Sequence, residues 1–448
     1  MLDSANVSSM EAVDTLITAQ WLVPVDAEGT HHRDQGIAIR DGQILDVGPS
    51  AHLRARYKPA ELVELPDHVL IPGLVNTHTH AAMTLMRGFA DDLPLGVWLR
   101  DHIWPTEGQW VSPDFVWDGT SLAIAEMLTS GVTCFNDMYF FPEVAAQAAL
   151  EMGIRMVAGM ICFDMANTYA ANADECIDKG LTMRAELAGQ SRVTTAFAPH
   201  APYTVSDAPL LRIRELSEQL NARVHMHVCE TSDEDADSVG SYGLRTLQRL
   251  EGLGLLNDRL IGAHMVHLTD DDIVAVRQAG SSVVHCPESN LKLASGFCRV
   301  DDLLRAGVNV ALGTDGAASN NDLDILAEMR VAALLSKGVS SDAASLPADQ
   351  ALYLATMGGA RALGLDSQIG SLEVGKRADV VALSLDDWSS HPLYNPISQV
   401  VYTATRSQVT DVWVDGSRRV QARHLVGANR ELLLARAASW VDNIGSPR

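Results

Sequence analysis

No CxxC pair and no close cluster occurs among the six cysteines, Cys134, Cys162, Cys176, Cys229, Cys286 and Cys298, so neither a disulfide frame nor a thiolate metal site is expected. Basic residues are few. Thirty-three Lys and Arg stand against 57 Asp and Glu, a formal charge of -24, and phosphate backbones and anionic lipid surfaces are repelled on average. Nucleic acid is thereby excluded as the expected partner, and a small neutral or zwitterionic ligand is favoured. No stretch reaches the roughly 20 apolar residues of a membrane span. The amino terminus, MLDSANVSSMEAVDTLITAQ, carries acids where a secretory signal needs a basic segment. The expectation is a cytoplasmic protein with no membrane partner.

What is present is ordinary globular material: 47% hydrophobic and 20% charged residues over 448 positions, enough for two or three domains or for one large α/β barrel with an appendage. No solenoid period is found, but one pattern recurs: a helix-like stretch, a glycine or turn, then a short run rich in Val, Ile and Ala that ends in polar residues. VLIPGLVNTHTH is followed in order by LTSGVTCFND, EMGIRMVAGMIC, SRVTTAFAPHAPY, NARVHMHVCET, NDRLIGAHMVHL, AGSSVVHCPES and AGVNVALGTDG. These eight runs are nearly continuous in apolar residues, as parallel strands covered on both faces are, and helical patterns stopped by Gly131 and Gly153 lie between the early ones. The fold class is therefore α/β, a (β/α)8 TIM-like barrel.

The two ends of the chain read as short strands with turn signals at Glu28-Gly29 and Asp41-Gly42, and again through GSLEVGKRADVVALSLD and VTDVWVDG. They are expected to pair into a small β-sandwich formed by both termini. The resulting division is 1–71 and 368–448 for the sandwich, with the barrel over 72–367.

Reactive residues collect at the ends of the runs, where a barrel builds its active site. His78 and His80 are two apart and so share a strand face. His227 ends the fifth run, with Glu230 three residues later, and Asp315 follows the eighth. Three imidazoles and one carboxylate suit one divalent ion, Zn2+ or Fe2+, with a further position for water, whose pKa zinc can lower to about 7. Hydrolysis is the natural chemistry. Asp315 can take the water's proton with its second oxygen, Glu230 can carry it to the substrate, and His264 can polarise the attacked centre or hold the water. His225 and His267 are expected to face elsewhere.

HTHAAMTLMRGFADDLPLGVWL, HMHVCET, AHMVHL, SSVVHCPESNLKL, GTDGAASNN and IGSLEVGKRADVV, kept in order from about residue 14 to 420, resemble the amidohydrolase superfamily. More narrowly they resemble the deaminases of 5'-methylthioadenosine and S-adenosylhomocysteine. The resemblance implies His78, His80, His227 and Asp315 as metal ligands and Glu230, His264 and Asp315 as proton-handling groups. It implies Glu107 as the acid that binds the ribose hydroxyls and His200 as a substrate contact, with Trp98 and the stretch around Asn290 lining the mouth. Superfamily members with two metals bridge them by a carbamylated lysine on the fourth strand. The fourth run here has no Lys, and the only one between His80 and His227 is Lys179, so a single metal is implied. Relatives that take S-adenosylhomocysteine grip its carboxylate with arginines in and after the third strand; here Met160 aligns with one of them, and no Arg follows Arg155 until Arg184.

The expected partner is a small nucleoside, with 5'-methylthioadenosine preferred and S-adenosylhomocysteine and adenosine also accepted, and the chain is expected to form a homo-oligomer. The alternatives are a deaminase of a guanine-like free base or a triazine hydrolase on the same scaffold. A non-catalytic scaffold protein is the reading of a different class, and the filled ligand positions oppose it.

Overall fold

The structure, a computed structural model, describes residues 10–26 and 29–445. Eight parallel strands form one sheet in chain order: Leu74–Thr79, Val132–Asp137, Arg155–Cys162, Val193–Pro199, Val224–Val228, Leu260–His264, Ser282–His285 and Asn309–Leu312. All but the fourth and eighth are buried along their whole length, which is why they read as continuous apolar runs. The last strand meets the first through a bridge between Thr79 and Asp315, where the Asp315 N–H donates to the His78 carbonyl at 3.0 Å. Closure of the barrel thus falls at residues expected to bind metal. Helices cover the strands. Gly153 ends helix Pro142–Met152 in the left-handed conformation, φ 77°, with its N–H on the Ala149 carbonyl, as a glycine stop requires.

The terminal segments build a second eight-stranded sheet. Its central neighbours are Val380–Ser384, Tyr57–Pro72 and Glu11–Leu22, so chain from both ends lies side by side. The sheet is single and folds over on itself: Ile17, Ile37, Ile39, Leu70, Val380 and Trp413 share one buried cluster. A Cβ on Gly42 would stand 2.8 Å from the Asp415 carbonyl oxygen. Asp41-Gly42 and Asp415-Gly416 each hold two positive φ angles in a row, the requirement of a two-residue hairpin turn. Of the other expected turn, Glu28 lies outside the described residues. The final helix, Arg430–Ile444, leaves this sheet and packs on barrel helix Pro113–Thr129, with Trp440 Nε1 donating to Asp118 at 3.1 Å and its ring meeting Phe115 edge-on. The expectation that 368–448 belongs wholly to the sandwich is corrected there: a tryptophan that finds both an aromatic edge and an acceptor on the barrel takes the helix with it. Among the described residues no helix is long and apolar enough to cross a membrane.

Candidate metal centre and active site

His78 Nε2 stands 3.2 Å from Asp315 Oδ1 and 3.2 Å from His227 Nε2, and His80 Nε2 stands 3.1 and 3.2 Å from the same two atoms. Four donor atoms arranged about a tetrahedral ion at zinc–ligand distances are about 3.3 Å apart, so the spacing fits a single ion. The tautomers agree. His80 Nδ1 donates to the Met138 carbonyl at 2.6 Å and His227 Nδ1 to the His200 carbonyl at 2.7 Å, so each Nε2 turns a lone pair to the common centre. Burial pushes the His78 imidazole down to about 4 and His227 well below its usual value, whereas at His80 burial is outweighed by the facing Asp315, which raises the imidazole to about 9. Burial works against ionisation of Asp315, yet the facing His78 and His80 hold its carboxyl well below the usual range.

His264 is a fifth candidate donor. It groups with His78, His227 and Asp315 within 4.8 Å, but the contacts that include His80 are shorter, and His80 is the better fourth ligand on distance. Left-handed backbone at His264 and Met265, φ 71° and 42°, turns the sixth strand inward at its end. Asn290 Oδ1 accepts from His264 Nδ1 at 2.9 Å. The Asn290 side chain therefore lies behind His264, and Leu293 is the residue of that stretch which lines the mouth.

Glu230 lies 4.0 Å from His264 Nε2 through Oε2, and its Oε1 accepts from the Ser295 hydroxyl at 3.2 Å. Burial raises its pKa, favouring a carboxyl that can hold a proton near neutrality. Asp315 differs from expectation in one respect. Its Oδ2 accepts from the Ser289 and Ser319 hydroxyls at 2.7 and 2.8 Å, so taking a proton there requires one of those bonds to be given up.

Above the centre the pocket is walled by apolar and aromatic groups, among them Met138, Phe140, Ile161, Phe163 and Tyr203. A helical flap over residues 95–110 supplies Leu95, Trp98, Leu99, Ile103, Trp104 and Glu107. Trp98 lines the pocket and is buried, on a π-helical segment. Glu107 accepts a hydrogen bond from the Tyr139 hydroxyl at 2.8 Å, and burial pushes its carboxyl up to about 7 against that bond. His200 stacks on Phe163 with ring centroids 4.4 Å apart and lines the same pocket. Met160 does not. Its side chain packs against Gly180 of helix Ala173–Glu186, because alternate strand residues face opposite sides, and the pocket wall from this strand is Ile161. The place at the substrate implied for Met160 by its alignment with an arginine of relatives is corrected, and the wall at this strand is the apolar Ile161. Arg184 bonds Thr195 and the Leu220 carbonyl, and Lys179 bonds Glu175 and Tyr169; neither lines the pocket.

His225 does not face elsewhere. Its Nε2 is 2.8 Å from His78 Nδ1, and the signal was present in the sequence, since His225 and His227 repeat the two-residue spacing of His78 and His80. His267 points to the Ser295 carbonyl at 2.7 Å, outside the centre. Ser289 and Ser319 lie inside quoted motifs without a role read for them, and Tyr139 and Glu234 are partners that no motif announced.

A (β/α)8 barrel carrying three imidazoles and a carboxylate at the strand ends, buried and tuned as one donor set, defines a metal-dependent hydrolase. The model of the amidohydrolase family matches residues 69–419, and this chain belongs to that family. It is 45% identical over 99% of its length to the whole of 5-methylthioadenosine/S-adenosylhomocysteine deaminase of Teredinibacter turnerae, and 43% identical over 85% of its length to 88% of the protein of that name from Moorella thermoacetica. Among solved structures, an adenosine deaminase from Xanthomonas campestris with bound zinc superposes with TM-score 0.96 at 49% identity, covering 97% of this chain and 99% of that one.

Proposed function

We propose that the protein removes the 6-amino group of 5'-substituted adenosines by hydrolysis, with one divalent ion, zinc, held by His78, His80, His227 and Asp315. The observation that carries this reading is the set of four donor atoms 3.1–3.2 Å from their neighbours, with the second nitrogens of His80 and His227 tied to backbone carbonyls. The ion, when held there, supplies the Lewis acidity that makes water a nucleophile at neutral pH.

The remaining work falls to the chain's own groups. Glu230, a carboxyl with a raised pKa, moves a proton from the attacking water to the purine ring as the C6–O bond forms. The second proton of that water then goes to the amino group, and the C6–N bond breaks to release ammonia and leave the C6 carbonyl of the inosine analogue. His264, oriented by Asn290, polarises the reacting centre. The Glu107 carboxylate, steadied by Tyr139, binds the ribose hydroxyls, and His200 and Trp98 bound the nucleoside. The wall of Phe140, Ile161 and Phe163 has no cation to meet a carboxylate and supports preference for 5'-methylthioadenosine over S-adenosylhomocysteine. Deaminase naming of the full-length relatives supports the same reaction class.

Ammonia release from metal-loaded protein, measured across adenosine derivatives, purine bases and triazines, tests the reading. No turnover of any 5'-substituted adenosine rejects it, and a higher kcat/KM for S-adenosylhomocysteine than for 5'-methylthioadenosine rejects the preference. The proposal also takes the protein as a cytoplasmic homo-oligomer, for which Trp388 and Tyr394, 97% and 91% exposed, offer apolar contact surface; light scattering decides the assembly.

A further inference from the structure

His78 differs from the other two ligand imidazoles in what holds its far nitrogen. His80 and His227 donate to backbone carbonyls, which the strands keep in place. His78 Nδ1 meets a side chain instead, the Nε2 of His225 at 2.8 Å, with the two rings nearly perpendicular. The proton positions follow from the site. A His78 Nε2 that faces Asp315 and His227 at 3.2 Å and offers its lone pair to an ion leaves the single imidazole proton on Nδ1. That proton is donated, so His225 Nε2 is the acceptor and the His225 proton lies on its own Nδ1.

His225 Nδ1 is buried and has no hydrogen-bond partner among the described residues, in a side chain with 0% exposure. An unmatched buried donor destabilises the fold. Simple filling of the barrel would be served by an apolar residue without that loss. The acceptor end of the ring is the part that makes a bond, and its partner is the imidazole at the centre of the donor set.

We infer that His225 is a positioning residue for the metal: by accepting from His78 Nδ1 it fixes the tautomer and the ring plane of His78 and so sets how tightly the ion is held. The inference rests on the ligand set proposed above. Outer partners of ligand histidines change metal affinity by about 10–100-fold when removed, and the effect reaches activity only through the ion.

The test is competition between the zinc-loaded full chain and a chelator, for native protein, His225→Gln and His225→Leu. Glutamine keeps an acceptor oxygen near the position of Nε2; leucine fills the space without one. The expected result is an affinity weakened about 10–100-fold in His225→Leu and close to native in His225→Gln, with the thermal midpoint of the zinc-free protein alike in both. Leucine that holds zinc as the native chain does, or leucine and glutamine weakened equally, overturns the inference. Should His225→Leu fail to fold, imidazole 15N spectra of the native protein decide. A proton on His225 Nδ1 with Nε2 accepting is expected, and a proton on Nε2 overturns the inference. A native chain that binds no zinc overturns the ligand set itself, an outcome distinct from any difference between variants.

Discussion

Both carboxylate oxygens of Glu234 accept successive backbone N–H groups, those of Cys229 and Glu230, each at 2.9 Å. The clamp closes on a left-handed residue, Cys229 with φ 52°, where the fifth strand breaks and Glu230 is turned over the barrel mouth. Glu234→Ala leaves two buried amides unmatched, at about 1–3 kcal/mol each. Its expected signature is a fall in kcat with zinc content unchanged, because His227 precedes the break. Unaltered kcat in a folded, zinc-loaded variant would show that Glu230 keeps its place without the clamp.

The same residue yields a pH prediction for stability. Burial raises the Glu234 carboxyl from the ordinary 4.5 to about 7, so the folded state binds a proton that the unfolded state has released. Its contribution is fully present below 4.5 and lost as pH rises to about 7, a change of about 3 kcal/mol over that window. Glu234→Gln removes this one titration. Urea unfolding of both proteins is expected to show the native chain losing its advantage between pH 5 and 8, and a constant difference counts against it.

Glu107 is expected to recognise a nucleoside best when ionised. Its carboxyl is pushed up to about 7 by burial, and the Tyr139 hydroxyl opposes the rise. KM for adenosine derivatives should therefore fall as pH rises through 7. Tyr139→Phe removes one opposing group and should raise KM at neutral pH about tenfold, about 1.4 kcal/mol, the size of one hydrogen bond. Glu107→Ala should raise KM for nucleosides and leave free bases nearly unaffected; equal effects on both would favour a base deaminase.

Adjacent residues of the third strand should respond oppositely to a charge. Ile161→Arg places a guanidinium in the apolar wall and should shift kcat/KM toward S-adenosylhomocysteine by about tenfold or more, as a charge-assisted bond of about 1.5–3 kcal/mol allows. Met160→Arg directs the same group against Gly180, where a Cβ would already stand 2.7 Å from Met160, and should destabilise the fold without changing selectivity. Kinetics on both substrates and thermal unfolding separate the two results.

Arg155 begins the third strand, at the far end from the site, and joins the barrel to the terminal sheet. Its guanidinium, 2% exposed on the side chain, pairs with Asp415 at 2.6 Å and Asp379 at 3.2 Å. Arg155→Ala takes the cation from the buried Asp379, while Asp415 keeps Arg377 at 3.8 Å and Arg192 at 3.9 Å, and should cost about 3 kcal/mol, measured by urea unfolding, with kcat of the folded fraction unchanged. A drop in kcat would mean that the two sheets are coupled to the mouth.

The barrel was legible because eight buried strands with helices between them need eight apolar runs, and because a barrel concentrates polar chemistry at one end of each. His78, His80, His227, Glu230, His264 and Asp315 were picked out by that rule and lie together at one end of the barrel, and His225 obeys the same two-residue alternation that was applied to His78 and His80 but not to it. Met160 was misplaced because aligning it with an arginine of relatives says nothing of which strand face it takes. The last helix was read with the sandwich because nothing in RELLLARAASWVDNI names Asp118 and Phe115, more than 300 positions earlier, as what its tryptophan meets.

By itself the sequence determined the strand order, the donor types and the absence of any Arg between Arg155 and Arg184, since periodicity and residue chemistry are local properties. Only the tertiary structure decided which atoms of those residues face one another. Asp315 closes the barrel on His78 and at the same time presents one oxygen to the imidazoles and the other to two serines. His225 reaches His78 across 147 positions, and Glu234 holds the turn before it. Each is a distance of about 3 Å between groups far apart in the chain or beyond a break in a strand, and such contacts follow from closing a sheet into a barrel.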